Sequence, residues 1–124
     1  MAGTYDFEDD AACDQGSTFQ RTITLQDGNG DAIDLTGYSA RMQVRKNFSA
    51  TSTYIDISNS TNQLTVGDIT LGGVLGTLDI HVPDVVTDAI PAGKFRYDIE
   101  IENSSGVVTR ILMGSFQVLS QVTR

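Results

Sequence analysis

Short segments in which apolar and polar residues alternate are the feature that most constrains the fold of this chain. The clearest runs are SARMQVR at 39–45, GTLDIHV at 76–82 and KFRYDIEIE at 94–102. An alternation of period two predicts a β-strand with one face buried and the other in water. An earlier run, STFQRTITL at 17–25, has the same pattern, which Arg21 interrupts.

The last apolar segment, VVTRILMGSFQVL at 107–119, is long enough for one extended strand. Its apolar positions change phase between Ile111 and Phe116, with Gly114 between them. A β-bulge, in which one strand carries an extra residue, restores the register after such a shift. We therefore expect a bulge at Gly114. Three weaker strands are predicted at Ala32–Leu35, Thr53–Ile57 and Gln63–Val66.

One segment has the pattern of a short helix. PDVVTDAIPAG begins with Pro83 and Asp84, the latter a candidate cap, and ends with Pro91 and Gly93. These residues favour one or two helical turns between two strands. The whole pattern predicts an all-β fold, a single antiparallel β-sandwich of seven to nine strands, immunoglobulin-like, with one short crossover helix. The chain has one cysteine and no tryptophan, so the cysteine pair and the tryptophan of antibody domains are missing.

The residues before the first clear strand have a different composition. Residues 1–17 are rich in Asp and Glu and contain two aromatic residues, Tyr5 and Phe7. We expect them to form an extended acidic N-terminal arm, followed by the β-sandwich domain in residues 18–124. The first residues contain no basic segment followed by an apolar one, so no signal peptide is predicted.

The charge of the chain bears on its partners. It has 16 acidic and 8 basic residues and a formal net charge of −8. Nucleic acids and anionic lipid surfaces attract basic proteins, so we expect neither nucleic acid nor membrane as a partner. The apolar runs are also shorter than the roughly 20 residues that a membrane helix needs.

The stretch QDGNGDAIDLTGY at 26–38 has the opening of a calcium loop, because Asp27, Asn29 and Asp31 stand at alternate positions. An EF-hand loop also needs Gly at its sixth place and Glu at its twelfth, where this chain has Ala and Tyr. Asp, Asn and Gly are equally the residues of tight turns. We interpret the stretch as a hairpin turn. A weak cation site that uses Asp27, Asn29, Asp31 or Asp34 is the alternative that the sequence leaves open.

Each of the other residues and motifs that could take part in catalysis or ligand binding also has a purely structural explanation. His81 is the single histidine, and one histidine cannot build a multi-histidine zinc site. Cys13 stands beside Asp14, and a neighbouring acid disfavours the reactive thiolate. The glycine-rich run at 67–76 lacks the lysine of a phosphate-binding loop. We therefore expect no catalytic residue, no cofactor and no metal centre, and a protein that is not an enzyme.

Two longer stretches resemble a known group of proteins. TFQRTITLQDGNGDAIDLTGYSARMQVR at 18–45 joins a T-x-T-L strand, an acidic glycine turn and I-D-L-T-G-Y. IPAGKFRYDIEIENSSGVVTRILMGSFQV at 90–118 has a Y-D-I strand and ends in G-x-F-x-V. With Tyr5-Asp6-Phe7 and Q-G-S-T-F at 15–19, the chain resembles small virion structural proteins of tailed bacteriophages. It is similar in particular to the N-terminal β-sandwich domain of upper baseplate proteins.

The resemblance implies a structural component of a phage virion, made in the host cytoplasm and located in the tail. The expected place is the baseplate or the tail-fibre attachment point, where the protein would act by protein–protein docking. Its expected partners are other baseplate or fibre proteins, and many copies would assemble in a ring. Tyr5 and Phe7 are the predicted anchors of an arm that becomes ordered on assembly.

A receptor- or glycan-binding β-sandwich is the alternative function. Glycan sites present aromatic rings beside polar groups. Phe48 and Tyr54 bracket the one long predicted loop, and they are the further candidate contact residues.

Overall fold

The computed structural model of the protein describes residues 3–120, which form nine strands in two sheets and one short α-helix. The strands are β1 Gly3–Thr4, β2 Cys13–Asp14, β3 Phe19–Thr24, β4 Ser39–Arg45, β5 Ile55–Ser58, β6 Asp68–Leu71, β7 Thr77–Val82, β8 Gly93–Glu102 and β9 Val108–Leu119. The α-helix, α1, is Asp84–Thr87, and two 3₁₀ helices are Asp9–Ala11 and Gly73–Leu75.

The larger sheet has six strands, in the order β1-β9-β8-β4-β5, with β2 also paired to β9. The smaller sheet has the order β3-β7-β6. All the pairs are antiparallel except β1 and β2, which run parallel to β9. The predicted mostly-β architecture is confirmed, but its purely antiparallel pairing is wrong. The larger sheet is mixed because residues 3–14, which we call the N-terminal segment, lie along β9 and run in the same direction.

Alternate residues of the central strands face one core, as the period-two pattern predicts. In β4, for example, Ala40, Met42 and Val44 are buried, while the residues between them face outward. Both sheets contribute to the same cluster of buried side chains. The removal of this apolar surface from water is the main force that stabilises such a fold. Its members include Phe19, Leu78 and Ile80 from the smaller sheet and Met42, Tyr97, Ile99 and Phe116 from the larger sheet.

The three weaker strands were predicted with mixed success. Ala32–Leu35 forms no strand and makes one isolated bridge, between Ala32 and Gln26. The prediction at Thr53–Ile57 corresponds to β5, which is displaced by one or two residues. Gln63–Val66 is a turn, because the backbone and side-chain oxygens of Asn62 accept the N–H groups that a strand would offer to a neighbour.

The bulge in the last strand lies at Ile111 and not at Gly114. Ile99 pairs with Leu112, but the next residue, Glu100, pairs with Arg110, so Ile111 is the extra residue. Gly114 has a different role, because the backbone of the N-terminal segment passes close to it as the segment runs along β9. A Cβ atom on Gly114 would lie 2.7 Å from Oδ1 of Asp6 and 2.9 Å from the carbonyl carbon of Tyr5.

The predicted helix is present as a single turn, α1, between β7 and β8. Pro83, and not Asp84, is its N-cap residue. The buried hydroxyl of Thr87 donates a 2.8 Å hydrogen bond to the carbonyl oxygen of Ser17 and so ties the helix to the start of β3. Within the described residues, none of the helices has the length and apolar character needed to cross a lipid bilayer.

The N-terminal residues differ from the exposed arm that the sequence suggests. Phe7 is only 1% exposed and packs in the core, and Cys13 is also buried. The backbone N–H of Phe7 donates to Ser115 at 2.9 Å, and Gln117 donates back to Phe7 at 2.8 Å. These hydrogen bonds attach the segment to the edge of β9 as in a pair of strands. The acidic composition of the segment gave no indication of this attachment. The division of the chain at residue 17 stays a prediction.

Candidate functional site

The N-terminal segment is held by a hydrogen bond from a side chain of β8 that passes over Gly114 of β9. Tyr97 stands opposite Gly114 on β8, and its hydroxyl donates a 2.6 Å hydrogen bond to the carbonyl oxygen of Tyr5. Burial raises the pKa of the Tyr97 phenol, and the negative charge of Asp6 raises it further. The phenol therefore remains protonated and keeps its role as a donor over the physiological pH range.

Two acidic residues of the segment, Asp6 and Glu8, bind groups of β9 rather than face solvent alone. Oδ1 of Asp6 accepts the backbone N–H of Ser115 at 3.0 Å. Oε2 of Glu8 accepts the Ser115 hydroxyl at 2.6 Å and lies 3.6 Å from Nζ of Lys94. The hydrogen bond from the Ser115 backbone is the main reason that the pKa of Asp6 is lowered, with its side-chain hydrogen bond second.

We expect acid to loosen this attachment. Because the folded-state pKa of Asp6 is below its ordinary value of 3.8, the stabilising effect is complete above the unfolded-state pKa and is lost as the pH falls through the lower folded-state pKa. In an NMR titration, the Ser115 amide resonance should therefore move with a midpoint below 3.8. Asp6→Asn keeps the accepting oxygen and should abolish the transition. A midpoint at or above the ordinary value would contradict the assignment.

The attached segment and β3 enclose an apolar hollow of about 310 Å³, which we call the Tyr5 hollow. It opens beside the unpaired edge of β3, one of the two outer strands of the smaller sheet. The ring of Tyr5 is 47% exposed and forms one wall. The residues that line the hollow are Tyr5, Phe7, Arg21, Thr22, Ile23 and Leu112.

Arg21, which interrupts the apolar row of β3, points toward the N-terminal segment. Its Nη2 donates to the carbonyl oxygens of Ala11 and Ala12 at 3.2 and 3.0 Å. The guanidinium group also lies over the ring of Phe19, 4.4 Å from its centroid. An inward-pointing charge on an edge strand limits indiscriminate pairing with other chains. Arg21 therefore attaches the N-terminal segment to β3. The edge of β3 remains accessible at the residues that follow Arg21.

The structure separates the four predicted contact residues. Tyr5 and Phe7 share the Tyr5 hollow, but Phe7 contributes from the core and offers no exposed ring. Phe48 is 54% exposed and lies near the guanidinium group of Arg96. Tyr54 is half-buried, packs against Phe95 and lines a separate hollow. The wall residues from β3 and β9 were missed by the sequence analysis, and the interruption at Arg21 was the one signal of their role.

The loop with alternating Asp and Asn is a turn, as predicted, but it does not join two strands of a hairpin, because Ala32–Leu35 forms no strand and β3 pairs with β7. Oδ1 of Asp27 accepts the N–H groups of Asn29 and Asp31 at 2.8 and 3.1 Å, and Gly30 has a left-handed φ of 82°. Oδ1 of Asp34 accepts the hydroxyl and the N–H of Thr36, and these bonds lower its pKa, the side-chain bond first. Among residues 3–120, no group of three or more His, Cys, Asp or Glu side chains is arranged to hold a metal ion.

Cys13, considered as a reactive thiolate, is buried in the structure, and His81, considered as a zinc ligand, is half-buried. Burial raises the pKa of the Cys13 thiol to about 12, and Asp14 is a secondary cause. His81 is half-buried, and its Nδ1 is buried without a hydrogen-bond partner in the described part of the chain. Asp79, two residues away, instead accepts hydrogen bonds from Gln20 and Thr22. No carboxylate among the described residues therefore orients the imidazole.

Comparison of the chain with protein-family models and with curated proteins finds no match.

Proposed function

We propose that this protein is a structural component of a bacteriophage virion, in the tail baseplate or at the tail-fibre attachment point, and that it acts by docking to other virion proteins. Its two sheets, with their shared core, would form an immunoglobulin-like sandwich. The resemblance of residues 18–45 and 90–118 to small virion proteins suggests the setting. The observation that carries the docking role is the Tyr5 hollow beside the open edge of β3.

The hollow suits an extended segment of a neighbouring virion protein that carries an apolar side chain. An unpaired edge strand offers backbone N–H and C=O groups, and a chain that pairs with it can place alternate side chains into adjacent pockets. Thr22 and Ile23 belong to both the edge and the wall of the hollow. Tyr5 is the expected anchor, because exposed aromatic residues supply much of the binding energy at protein interfaces.

Labelling of particles tests the setting. An antibody against this chain, applied to particles purified from the source of the sequence and imaged by electron microscopy, should mark the end of the tail distal to the head. Label on the head or neck would keep the structural role and move its place in the particle. Absence of the protein from the particles would overturn the virion proposal.

A substitution tests the docking surface. Tyr5→Ser should leave the domain folded, because the ring is about half exposed. It should reduce incorporation into particles about tenfold or more, as expected for a binding hot spot. Incorporation is measured by quantitative mass spectrometry after complementation of a phage that lacks the gene. Leu64→Ser removes an exposed apolar side chain remote from the hollow and should have no effect. Equal incorporation of both variants would contradict docking through Tyr5.

The alternative, a receptor- or glycan-binding module, draws on the exposed ring of Phe48 beside Asn47 and Gln43 in one hollow. A sugar would need the face of this ring. Arg96 already lies over the ring, with its guanidinium carbon 5.7 Å from the centroid, so we favour protein docking. Binding on a glycan array that disappears in Phe48→Ala would reverse this preference.

A further inference from the structure

The open edge of β3 continues past the end of the strand to Gln26. Leu25 directs its backbone groups away from this edge, since its N–H donates to Gly76 at 2.8 Å and its carbonyl oxygen accepts the N–H of Ile33 at 3.0 Å. Backbone groups of successive residues in an extended chain point to opposite sides. The described residues place no strand on the open side of β3. The residues whose N–H and C=O groups face this side are Thr22, Thr24 and Gln26.

Arg21 marks the other end of the usable edge. Its Nη1 donates to the carbonyl oxygen of Gln20 at 2.8 Å, so this outward acceptor is already in use. Arg21 makes no ion pair with any described residue, and its guanidinium group is held by carbonyl oxygens and by the ring of Phe19. The usable edge is therefore residues 22–26, which carry no charge and are bounded by a basic residue, Arg21, and an acidic one, Asp27.

The stretch RTITLQD at 21–27 matches its own reverse in polarity. In an antiparallel pair of two copies centred on Thr24, each Thr22 lies opposite a Gln26, and both residues direct backbone groups to the shared edge. Each Ile23 then lies opposite a Leu25 on the core-facing side, where both are partly buried. The Leu25 of the second copy would extend the apolar wall of the Tyr5 hollow. A shift of the pairing by two residues in either direction would place one of these apolar side chains opposite a charged one.

The charges at the two ends of the stretch are complementary in the same register. Arg21 of one copy lies opposite Asp27 of the other, and this pair occurs twice. Oδ1 of Asp27 accepts hydrogen bonds within its own turn, whereas nothing in the described part of the chain bonds its Oδ2. Side chains directly opposite on neighbouring strands have Cβ atoms about 5 Å apart. An inward-pointing charge on an edge strand disfavours most pairings, but it favours a strand that carries an acid opposite it.

The other open edges of the described strands suit self-pairing less well, because they contain carboxylates. β5, an outer strand of the larger sheet, contains Asp56, and β6, the other outer strand of the smaller sheet, contains Asp68. Like charges opposite each other destabilise a sheet. At β3, Asp79 lies one strand further in, opposite Thr22. In a pair of copies the two Asp79 residues would be three strand spacings apart, about 14 Å.

Further carboxylates lie near the ends of the stretch. Those of Asp9, Asp10 and Asp31 are exposed to solvent, where water and salt screen their repulsion over about 10 Å. They do not lie in the paired stretch. The contact between Arg21 and Asp27 of the second copy is direct, so it determines the register.

We propose that this chain forms a two-fold symmetric dimer in which the edge of β3 pairs with the same edge of a second copy, centred on Thr24. The two smaller sheets then join into one continuous sheet. The interface uses the same surface on both copies, so it closes at two and removes the open edge of β3. This inference rests on the docking role proposed above for that edge and names its partner. It does not depend on the virion setting.

Sedimentation velocity of the full chain over a concentration series tests the dimer. The wild-type coefficient should rise with concentration to the value of a dimer. Arg21→Glu and Asp27→Lys each place like charges opposite each other at both ends of the pair, and each should raise the dissociation constant about tenfold or more. Arg41→Glu reverses an exposed charge on the larger sheet and should dimerise like the wild type.

An equimolar mixture of Arg21→Glu and Asp27→Lys gives the decisive result. In a dimer with one copy of each, the new glutamate faces the new lysine at one end, and the native arginine faces the native aspartate at the other. The mixture should therefore dimerise nearly as well as the wild type. Such recovery also shows that both variants are folded, and circular dichroism of each variant alone checks this independently.

Disulfide cross-linking tests the register without altering a charge. Thr24 lies on the two-fold axis, where opposite Cα atoms would be about 5.5 Å apart, a distance that a disulfide spans. Thr24→Cys should therefore give a covalent dimer with oxidised glutathione. Thr70→Cys, at an exposed position of β6 in the same sheet, should remain monomeric on a denaturing gel. The native Cys13 is buried.

Several outcomes would overturn the dimer: a wild-type chain that stays monomeric, charge-reversed variants that dimerise like the wild type, a mixture that does not recover, or equal cross-linking of Thr24→Cys and Thr70→Cys. The virion proposal fails separately. A chain that is present in particles but monomeric in solution would overturn the dimer alone. A chain that dimerises through Thr24 but is absent from particles would overturn the virion proposal alone.

Discussion

Phe7→Ala is expected to reduce the free energy of unfolding by about 3–5 kcal/mol, the usual range for loss of a buried phenylalanine. The ring is 1% exposed and packs against four other aromatic rings with centroid distances of 4.9–5.9 Å. Its removal leaves a cavity and also weakens the attachment of the N-terminal segment to β9. Urea denaturation followed by circular dichroism measures the change.

Tyr5→Ala is the matched control for this prediction. The two residues are neighbours in one segment, but Tyr5 is 47% exposed, so its loss should lower the unfolding free energy by about 1 kcal/mol or less. Equal stability losses in the two variants would show that Phe7 is not a core residue. Deletion of residues 2–17 should also destabilise the domain strongly. This expectation is the opposite of the one that a free docking arm would give.

Gly114→Ala is expected to reduce the free energy of unfolding by about 2–3 kcal/mol, because overpacking at this position requires a shift of backbone. The added methyl group would meet the backbone of Tyr5 and the carboxylate of Asp6. The segment would have to move away from β9, and the Tyr97 hydroxyl would lose its acceptor on Tyr5. Thermal denaturation should show a midpoint lower by roughly 5–15 °C.

Gly28→Ala provides the control for the glycine substitution. A Cβ atom at Gly28 meets nothing within 4 Å, and the change should be within about 0.5 kcal/mol of neutral. If Gly114→Ala were as stable as Gly28→Ala, the close approach of the N-terminal segment to β9 would be contradicted. The two variants together separate a general effect of replacing glycine from the specific effect of the close approach of the N-terminal segment to Gly114.

Most of the strands could be predicted from the chain because their signal is local. In β4, β7 and β8 each residue shows by its own polarity which face it occupies, and the structure follows this alternation. The turn at Asp27 was also predictable, since Asp, Asn and Gly form such turns with their immediate neighbours. The three weak strands were less predictable, because side chains such as Asn62 compete locally for the backbone groups of a strand.

The candidate site was only partly predictable. Tyr5 was identified from its aromatic character in an acidic segment, but the partners that form the hollow come from β3 and β9, far away in sequence. Phe48 and Arg96 are likewise distant in sequence and meet only through the pairing of β4 with β8. In the sequence, Arg21 interrupts the row of apolar residues in β3. Its hydrogen bonds to the carbonyl oxygens of Ala11 and Ala12 explain why an arginine stands there.

The sequence by itself determined the central elements of this protein, because alternation and turn chemistry act between residues that are close along the chain. It determined a mostly-β fold, the faces of the central strands, the short helix and the acidic turn. Only the tertiary structure decided that the N-terminal segment lies along β9, that Phe7 is in the core and that the bulge is at Ile111. These features depend on which strand edge remains unpaired and on how closely two backbones approach at Gly114. The order of polar and apolar residues along the chain contains no information about either.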